Sequence, residues 1–338
     1  MFKFCTFNVN GLRDDLKRRR VLQFLKLFEF DIIFLQELHF NCNDDVLKFQ
    51  REWGGRVFVS TSPSAHSAGV GIAFNPNFVC TVSQSRQDQE GRLISILIHH
   101  GKSNSKLRLC NVYAPNVPSS RRTFFQNLNT FVHGPEPVLL GGDFNCIFSN
   151  NDRSGDSTNT SCFTGREELQ SFLSSKSLVD AWVASSPQSP GHTWLHPGKG
   201  QSSRLDRVYV PPSLSMSGIF VHPLALSDHN PVALHFTFNN YQSQGRGVWK
   251  CNVSILDNND FCTDLRNYYP LWCTLKPGFA SIVEWWENCK VRVKHLMIRH
   301  GVRLARERRE RIEKLQSSCI SANADELAQI LDEQRRGP

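Results

Sequence analysis

Short apolar segments separated by Gly, Pro and Asn residues recur along the first 240 residues of this 338-residue chain. Residues 232–238 illustrate the pattern, because Val, Leu, Phe and Phe alternate there with Ala, His and Thr. Such alternation is typical of β-strands, whose side chains point to opposite faces of a sheet in turn. The sequence predicts strands at residues 2–9, 31–36, 70–74, 93–99, 106–113, 137–141, 205–210 and 231–238.

Two amphipathic helices are predicted between these strands, near residues 17–28 and within residues 163–182, where apolar side chains recur three or four positions apart. Many strands with few helices predict an α/β fold, a two-sheet β-sandwich flanked by helices. The strand pattern stops at residue 240. We therefore predict two domains, residues 1–240 and residues 241–338. The second is expected to be a helical basic C-terminal extension, partly disordered, that begins with a linker at residues 241–247.

The composition and the termini exclude several classes of protein. Hydrophobic residues make up 40% of the chain, which is ordinary for a globular protein. The eleven cysteines have neither zinc-ligand spacing nor the pattern of a small disulfide-bonded domain. The first residues lack the features of a signal peptide, and no apolar stretch has the roughly 18 residues of a membrane span. We expect a soluble, intracellular protein in a reducing compartment, with no membrane partner.

Positive charge is concentrated near the C-terminus. The formal net charge is +8, and residues 290–314 contain ten Lys or Arg residues against three Glu residues. Such a segment is either the solvated face of a helix or a contact surface for nucleic acid or another polyanion. Residues 303–311 also have the composition of a nuclear import signal, although such short motifs often arise by chance.

Polar residues stand at the ends of the predicted strands, where the chain leaves the core and presents side chains to a common rim. Taken singly, each is more often a turn or capping residue than a functional one. In sequence order they form the series Asn, Glu, Tyr, Asp-x-Asn, Asp and Asp-His, which consists of Asn8, Asn10, Glu37, Tyr113, Asn116, Asp143, Asn145, Asp206, Asp228 and His229.

This series resembles the endonuclease/exonuclease/phosphatase family, which includes deoxyribonuclease I, exonuclease III and the abasic-site endonucleases. The resemblance runs from Asn8 to His229. It depends on six motifs in the family's order: Phe7-Asn8-Val9-Asn10-Gly11-Leu12, Leu35-Gln36-Glu37, Asn111-Val112-Tyr113-Ala114-Pro115-Asn116, Gly142-Asp143-Phe144-Asn145, Arg204-Leu205-Asp206 and Ser227-Asp228-His229. It implies a deoxyribonuclease I-like fold and a metal-dependent phosphodiesterase.

Within this family, the sequence is most similar to the endonuclease domain of non-LTR retrotransposon polyproteins. Asn10, the pair Asp152-Arg153 and Thr193 match that pattern, whereas Ser203 replaces a tryptophan that lines the abasic-site pocket of the repair enzymes. The likeness implies that double-stranded DNA is nicked for retrotransposition. Residues 241–338 resemble the start of the connector to a reverse transcriptase, and their basic segment is a candidate contact for retrotransposon RNA. The chain would then be truncated before that enzyme, with nuclear action expected.

The resemblance also implies a role for each residue. Glu37 is expected to be the main ligand of Mg²⁺, with Mn²⁺ able to substitute, and Asn8, Asn10 and Asp228 are expected around the ion or its waters. Such hard cations prefer oxygen ligands. The catalytic residues implied are Tyr113, Asp143, Asn145, Asp206 and His229. The substrate-binding residues implied are Asn116, Arg153, Thr193, Lys199 and Ser203.

Two details of this mechanism stay open at the level of sequence. His229 with Asp206 has the composition of an imidazole held in one tautomer by a carboxylate, yet either His229 or Asp143 could activate the attacking water. Residues 196–203 form either an ordinary hairpin turn or a loop that enters the DNA minor groove, in which case Lys199 would contact the DNA backbone.

Two other functions remain compatible with the sequence. The first is another phosphoesterase of the same superfamily, such as an abasic-site repair nuclease or a phosphatase of lipids or inositol phosphates. The second is a catalytically idle nucleic-acid-binding fragment of a retrotransposon. Every expected catalytic residue is present, which favours an active enzyme over the second alternative.

Overall fold

The computed structural model describes residues 1–40, 42–62, 68–100, 105–154, 160–185, 189–196, 200–238 and 253–335. The chain divides into two compact units, residues 1–242 and residues 243–338. The linker predicted at residues 241–247 lies outside the described residues. None of the described helices is both long and apolar enough to cross a membrane.

Two six-stranded sheets and a short hairpin make up the β-structure described in the first unit. One sheet has the order β13-β14-β1-β2-β4-β3, the other has the order β5-β6-β7-β8-β12-β9, and β10 pairs with β11. These strands are β1 (Phe2–Asn8), β2 (Ile32–Gln36), β3 (Val57–Ser60), β4 (Val70–Phe74), β5 (Thr81–Gln87), β6 (Leu93–His100), β7 (Ser105–Tyr113), β8 (Val138–Asp143), β9 (Val179–Asp180), β10 (Trp194–Leu195), β11 (Ser202–Ser203), β12 (Asp206–Val210), β13 (Leu214–Val221) and β14 (Val232–Phe238).

The helices of the first unit lie outside its two sheets. Those of the first unit are α1 (Asp15–Phe28), α2 (Asn43–Trp53), α3 (Pro118–Gln126), α4 (Leu128–Phe131), α5 (Arg166–Ser175) and α6 (Ala181–Ala184), and those of the second unit are α7 (Asn259–Thr274) and α8 (Ile282–Arg335). The prediction of a two-sheet sandwich flanked by helices and followed by a helical extension is confirmed.

The alternation in β1 shows how the sequence builds these layers. Phe4 packs in the apolar cluster between the sheets, whereas Cys5 and Phe7 pack in the cluster beneath α1 and α2. Successive side chains of a strand point to opposite faces, and here both faces are covered. A strand with two covered faces therefore carries apolar residues on both sides.

Polar side chains join the two sheets just below their rim. In β2, the amide nitrogen of Gln36 donates to Asn111 of β7 at 2.7 Å and to Thr6 of β1 at 2.9 Å. The amide nitrogen of Asn111 in turn donates to the carbonyls of Leu35 and Gly71 at 2.9 and 2.8 Å. Buried amides must satisfy their hydrogen bonds, so this network fixes how β2 faces β7. The residues that follow these strands are thereby held close together.

The sequence did not predict several elements, among them β5 and β13. β5 has the sequence Thr-Val-Ser-Gln-Ser-Arg-Gln, and most of its side chains are exposed. β5 lies at the edge of its sheet and is held by backbone pairing with β6. Its sequence therefore lacks the apolar alternation from which a strand is predicted. β13 is likewise an edge strand with a mixed burial pattern and a bulge between Met216 and Gly218.

In the second unit, α7 and the first half of α8 pack through two small apolar clusters. One contains Ile255, Phe261 and Leu296, and the other contains Trp272 and Trp285 with Cys289. The buried His300 of α8 bonds to Asp264 of α7 at 2.9 Å. These contacts give the second unit a core of its own.

Candidate active site

Strand pairing brings the predicted site residues to one rim of the sandwich. In the second sheet, Tyr113 pairs with Asp143, and Asp143 pairs with Asp206 across the next strand. In the first sheet, Asn8 pairs with Gln36, immediately before Glu37. Because both sheets end at this rim, residues separated by up to 219 positions in the sequence become neighbours.

A cleft of about 580 Å³ opens at this rim. Eight of the predicted residues line it: Glu37, Asn116, Asp143, Asn145, Arg153, Ser203, Asp228 and His229. The other predicted residues that are described lie behind or beside these, and Lys199 lies outside the described residues. A second cleft, of about 640 Å³, lies beside α3 and is lined by none of the predicted residues, so we do not connect it with the chemistry.

Glu37 is the more accessible of the two carboxylates that are joined by the Asn8 amide. Its side chain is 20% exposed, and its oxygens accept from Asn8 at 2.8 Å and from His39 at 3.2 Å. Burial raises the pKa of Glu37, but donation by His39, Asn8 and Tyr113 outweighs burial and lowers it overall. Glu37 is therefore ionised at neutral pH.

Asn8 connects this carboxylate to the second sheet. Its buried amide nitrogen donates to Glu37 and also, at 2.9 Å, to Asp143, while its amide oxygen accepts from the backbone of Asn10 at 3.1 Å. Both polar ends of the side chain are therefore occupied by protein groups. In this position Asn8 holds two carboxylates in place.

Left-handed backbone conformations cluster at this rim. Asn10, Glu37, His39 and Asn145 have φ values of 46°, 54°, 56° and 46°. Residues other than glycine adopt this region at a cost in free energy, which the surrounding structure must supply. Here the amide of Asn145 donates to the carbonyl of Ala114 at 2.9 Å, and the backbone of Asn145 donates to Asp143.

His229 lies between two carboxylates. Its Nδ1 bonds to Asp206 at 2.7 Å, and its Nε2 is 3.8 Å from Asp143. Burial lowers the pKa of His229, but the charges of Asp206 and Asp143 outweigh burial and raise it to about 10. The imidazole is therefore a cation at neutral pH.

Asp143 is a buried carboxylate whose pKa suits proton transfer near pH 7. Burial and the charge of Asp206 raise the pKa of Asp143 to about 7, although His229 and donors from Asn145 and Asn8 oppose them. A base works best when its pKa is close to the working pH. Of the two candidates left open by the sequence, this arrangement favours Asp143 as the base, since His229 already carries its proton.

Tyr113 supplies a neutral donor. Burial, followed by the charges of Glu37 and Asp143, raises its pKa well above the ordinary value, and its hydroxyl bonds to Glu37. The guanidinium of Arg92 lies 5.1 Å from the ring centroid. Tyr113 therefore stays protonated and can donate to an anion.

Two of the predicted substrate-binding residues differ in their surroundings. Arg153 lines the cleft, bonds to Asn150 at 3.1 Å and packs on the ring of Phe163 at 5.4 Å. Thr193 is fully buried, and its hydroxyl accepts from the backbone of Leu205 and Asp206 at 3.1 and 3.0 Å. Thr193 thus lies where it orients Asp206 and not where it can touch a substrate.

Buried ion pairs support the segment that carries Arg153. Asp152 accepts from Arg204 at 2.9 Å and from Arg207 at 2.8 Å, and both arginines also bond to Asp180. Burial raises the pKa of Asp152, but Arg207 and Arg204 outweigh burial and lower it to about 2. This cluster joins the segment after β8 to the start of β12.

The carboxylate oxygens at the cleft are suitable ligands for a hard divalent cation. Mg²⁺ takes carboxylate oxygens while it keeps several waters, and the ionised, partly exposed Glu37 and the half-buried Asp228 meet that requirement. Asp143, Asp206 and His229 also have potential ligand atoms within 4.8 Å of one another. That group is buried, and a protonated imidazole offers no lone pair, so it suits a hydrated metal less well.

Sequence reasoning did not single out three residues at this rim. Lys17 of α1 donates to the carbonyl of Asn10 at 2.6 Å, His39 bonds to Glu37, and Trp194 bonds to Asp228 at 3.1 Å. His39 follows the motif Leu35-Gln36-Glu37, and Lys17 follows the motif that ends at Leu12. This closeness to a motif is the only feature of the sequence that could have identified them.

Comparison with known proteins gives one family for the first unit. The model of the Endonuclease/Exonuclease/phosphatase family matches residues 5–229. The chain is also 28% identical over 324 residues to a Xenopus laevis protein described as "Transposon TX1 uncharacterized 149 kDa protein". This alignment covers 93% of the chain and 24% of that protein, so the chain spans about a quarter of its curated relative.

Several solved structures share this fold. An AP endonuclease from Archaeoglobus fulgidus has a TM-score of 0.60 at 21% identity, covering 70% of this chain and 99% of its own. The Xenopus laevis APE2 catalytic domain has a TM-score of 0.58 at 20% identity, covering 70% and 91%. NExo, a 3′ phosphatase from Neisseria bound to a product DNA hairpin, has a TM-score of 0.55 at 21% identity, covering 70% and 100%.

Proposed function

The chain belongs to the endonuclease/exonuclease/phosphatase family, and we propose that it is a divalent-metal-dependent endonuclease that nicks double-stranded DNA. The observation that carries this proposal is the cleft in which the ionised Glu37 lies beside Asp143 and the cationic His229. The likeness to a transposon protein over 93% of the chain supports a role in retrotransposition.

Hydrolysis of a phosphodiester needs an in-line water, positive charge near the non-bridging oxygens and help for the leaving oxygen. A divalent cation held by Glu37 and Asp228 would supply charge stabilisation there. Asp143, oriented by Asn8 and Asn145, accepts the proton of the attacking water. His229 presents a fixed positive charge to the phosphate, because Asp206 holds its ring in place.

Neutral donors complete the substrate contacts. Tyr113 and Asn145 lie at the ends of neighbouring strands and can donate to a phosphate without repelling it. Asn116, Arg153 and Ser203 line the same cleft and are proposed to contact the DNA backbone. The second unit is proposed to be the basic connector, which adds affinity for nucleic acid and provides the candidate contact for RNA. Because the proposed substrate is double-stranded DNA, we propose that the protein acts in the nucleus.

The test is relaxation of supercoiled plasmid by the full chain with Mg²⁺, with Mn²⁺ or with EDTA. We expect metal-dependent nicking that falls at least about a hundredfold in Glu37→Gln and in His229→Asn, because each removes charge stabilisation of the transition state. Glu167→Gln, on an exposed position of α5, is the matched control and should nick normally.

Other substrates discriminate the alternatives. Phosphoinositides and DNA with a 3′ phosphate are offered to the same protein under the same conditions. Release of phosphate without plasmid nicking would replace the endonuclease by a phosphatase of the same superfamily. Binding of DNA without any hydrolysis would identify a catalytically idle fragment.

A further inference from the structure

Asp228 is held from both sides by side-chain donors. The amide nitrogen of Asn10 donates to its Oδ1 at 3.0 Å, and the indole Nε1 of Trp194 donates to its Oδ2 at 3.1 Å. The hydroxyl of Ser227 is 3.3 Å from Oδ1, but it is closer to the carbonyl of Asn8, at 2.8 Å. A hydroxyl has one proton to donate, so the shorter contact is the better bond. Among the described residues, Asn10 is therefore the main side-chain donor to Oδ1 of Asp228, and Trp194 is the side-chain donor to Oδ2.

The backbone around Trp194 makes this contact rigid. Residues 193–195 run antiparallel to residues 228–230, since Leu195 donates to the carbonyl of Asp228 at 2.9 Å and Asn230 donates to the carbonyl of Thr193 at 2.6 Å. Trp194 pairs with His229 in this short ladder. Side chains on directly opposed strands stay close, so the indole follows the segment that carries Asp228 and His229.

The same tryptophan belongs to the hairpin at the edge of the cleft. Trp194 pairs with Ser203 in the β10–β11 hairpin, and beyond it His196 donates to the carbonyl of Gln201 at 2.8 Å. The ring of His196 meets the indole edge to face, with 5.5 Å between ring centroids. Trp194, Gln201 and Ser203 all line the cleft. The indole therefore connects the hairpin to the carboxylate.

We propose that Trp194 is a positioning residue that fixes the Asp228 carboxylate for binding of the divalent cation. The proposal rests on the metal-binding role of Asp228 in the proposed function. Loss of a group that orients a metal ligand typically weakens metal binding by about ten- to a hundredfold, because an unfixed carboxylate must be ordered when the ion binds. Tryptophan performs two tasks here, as an apolar wall of the cleft and as an N–H donor. Phenylalanine at this position would retain most of the apolar surface but would lack the N–H group that donates to Asp228.

The experiment uses the full chain and Mn²⁺ alone, followed by electron paramagnetic resonance in the absence of DNA. Trp194→Phe is expected to bind Mn²⁺ about tenfold more weakly than the unsubstituted chain. Trp182→Phe is the matched control, because its indole also donates to an oxygen, the carbonyl of Ser189 at 3.3 Å, and lines no part of the cleft. It should bind Mn²⁺ as the unsubstituted chain does. Equal Mn²⁺ affinity in Trp194→Phe and Trp182→Phe would overturn the proposal.

A double substitution shows whether Trp194 acts through Asp228. In an Asp228→Asn chain, adding Trp194→Phe should change Mn²⁺ affinity less than about twofold, since the carboxylate that the indole orients is already gone. A full additional loss would overturn the proposal. In nicking assays, Trp194→Phe should raise the Mn²⁺ concentration for half-maximal rate about tenfold and leave the rate at saturating Mn²⁺ within about twofold.

The binding measurement separates this proposal from the proposed function. A chain that leaves plasmid intact but binds Mn²⁺ with this dependence on Trp194 would disprove the endonuclease and uphold the positioning role. A chain that nicks plasmid with unchanged Mn²⁺ affinity in Trp194→Phe would uphold the endonuclease and disprove the positioning role.

Discussion

At the residue scale, the rim depends on side chains that each serve two partners. Asn8 donates to Glu37 and to Asp143, and His229 lies between Asp206 and Asp143. Such shared contacts couple the charges of the site, so that a change at one carboxylate alters the protonation of the next. The fixed positive charge of His229 is the clearest consequence.

The protonation of His229 predicts how stability changes with pH in EDTA. The pKa of His229 is about 10 in the folded chain, whereas the ordinary pKa of a histidine in an unfolded chain is 6.5. A group with a raised folded pKa contributes stability that is complete below about 6.5 and is lost as the pH rises to about 10. The pKa of Asp143 is also raised, to about 7, so its ionisation lowers the stability of the folded chain mainly as the pH rises towards 7. The free energy of unfolding should therefore fall from pH 7 to pH 10.

Urea unfolding at pH 7, 8, 9 and 10 checks this prediction, with His229→Gln as the comparison. The variant lacks the titrating imidazole, and its stability should fall less over this range than that of the unsubstituted chain. Parallel curves for the two proteins would show that His229 carries no raised pKa.

At the element scale, buried charges join two segments that are distant in the sequence. The segment after β8 and the start of β12 are joined through Asp152, Arg204 and Arg207, all of which are buried. A buried ion pair adds little net stability compared with apolar residues, but removal of one partner leaves the other uncompensated. The cluster therefore fixes the position of Arg153 at the cleft.

Asp152→Asn is predicted to destabilise the first unit by about 3 kcal/mol, because two buried guanidinium groups lose part of their counter-charge. Glu168→Gln is the matched control, since Glu168 pairs with the exposed Arg122 at 3.1 Å. An exposed pair contributes less than about 1 kcal/mol. Thermal unfolding of both variants measures the difference, and an equal loss in the two would contradict a special role for the cluster.

At the scale of the whole molecule, the densest positive charge lies outside the unit that carries the candidate chemistry. The net charge of residues 1–242 is +4, from 23 Lys or Arg residues against 19 Asp or Glu residues, whereas residues 290–314 of α8 alone contain ten Lys or Arg residues against three Glu residues. Attraction to DNA depends on the number of phosphate contacts, whereas hydrolysis depends on the geometry of the cleft. Affinity and turnover should therefore be separable.

Substitution of Arg308, Arg309 and Arg311 by Gln is predicted to weaken DNA binding and to reduce the slope of log affinity against log salt by up to roughly 3, about 0.9 for each lost contact. The nicking rate at saturating DNA should stay within about twofold. Arg51, Lys106 and Lys176 of the first unit, changed to Gln together, provide a control with the same loss of charge. Equal slopes for the two triple variants would mean that α8 makes no special contribution.

Much of the fold was predictable because local patterns reflect burial on both sides of a strand. All eight predicted apolar segments are strands, and both predicted helices are present as α1 and α5. The edge strands β5 and β13 were not predictable in this way. Their pairing comes from the backbone of a neighbouring strand, and their side chains carry no comparable apolar pattern.

The sequence by itself determined which residue types are available at the rim, since the motifs from Asn8 to His229 can be identified without a structure. Only the tertiary structure decided what each of them touches. It placed Thr193 behind Asp206, gave both ends of Asn8 protein partners and set the indole of Trp194 against Asp228. The physical reason is the distance along the chain. Hydrophobic periodicity reflects neighbours two to four positions apart, whereas Asn8 and Asp143 are 135 positions apart and meet only through the packing of two sheets.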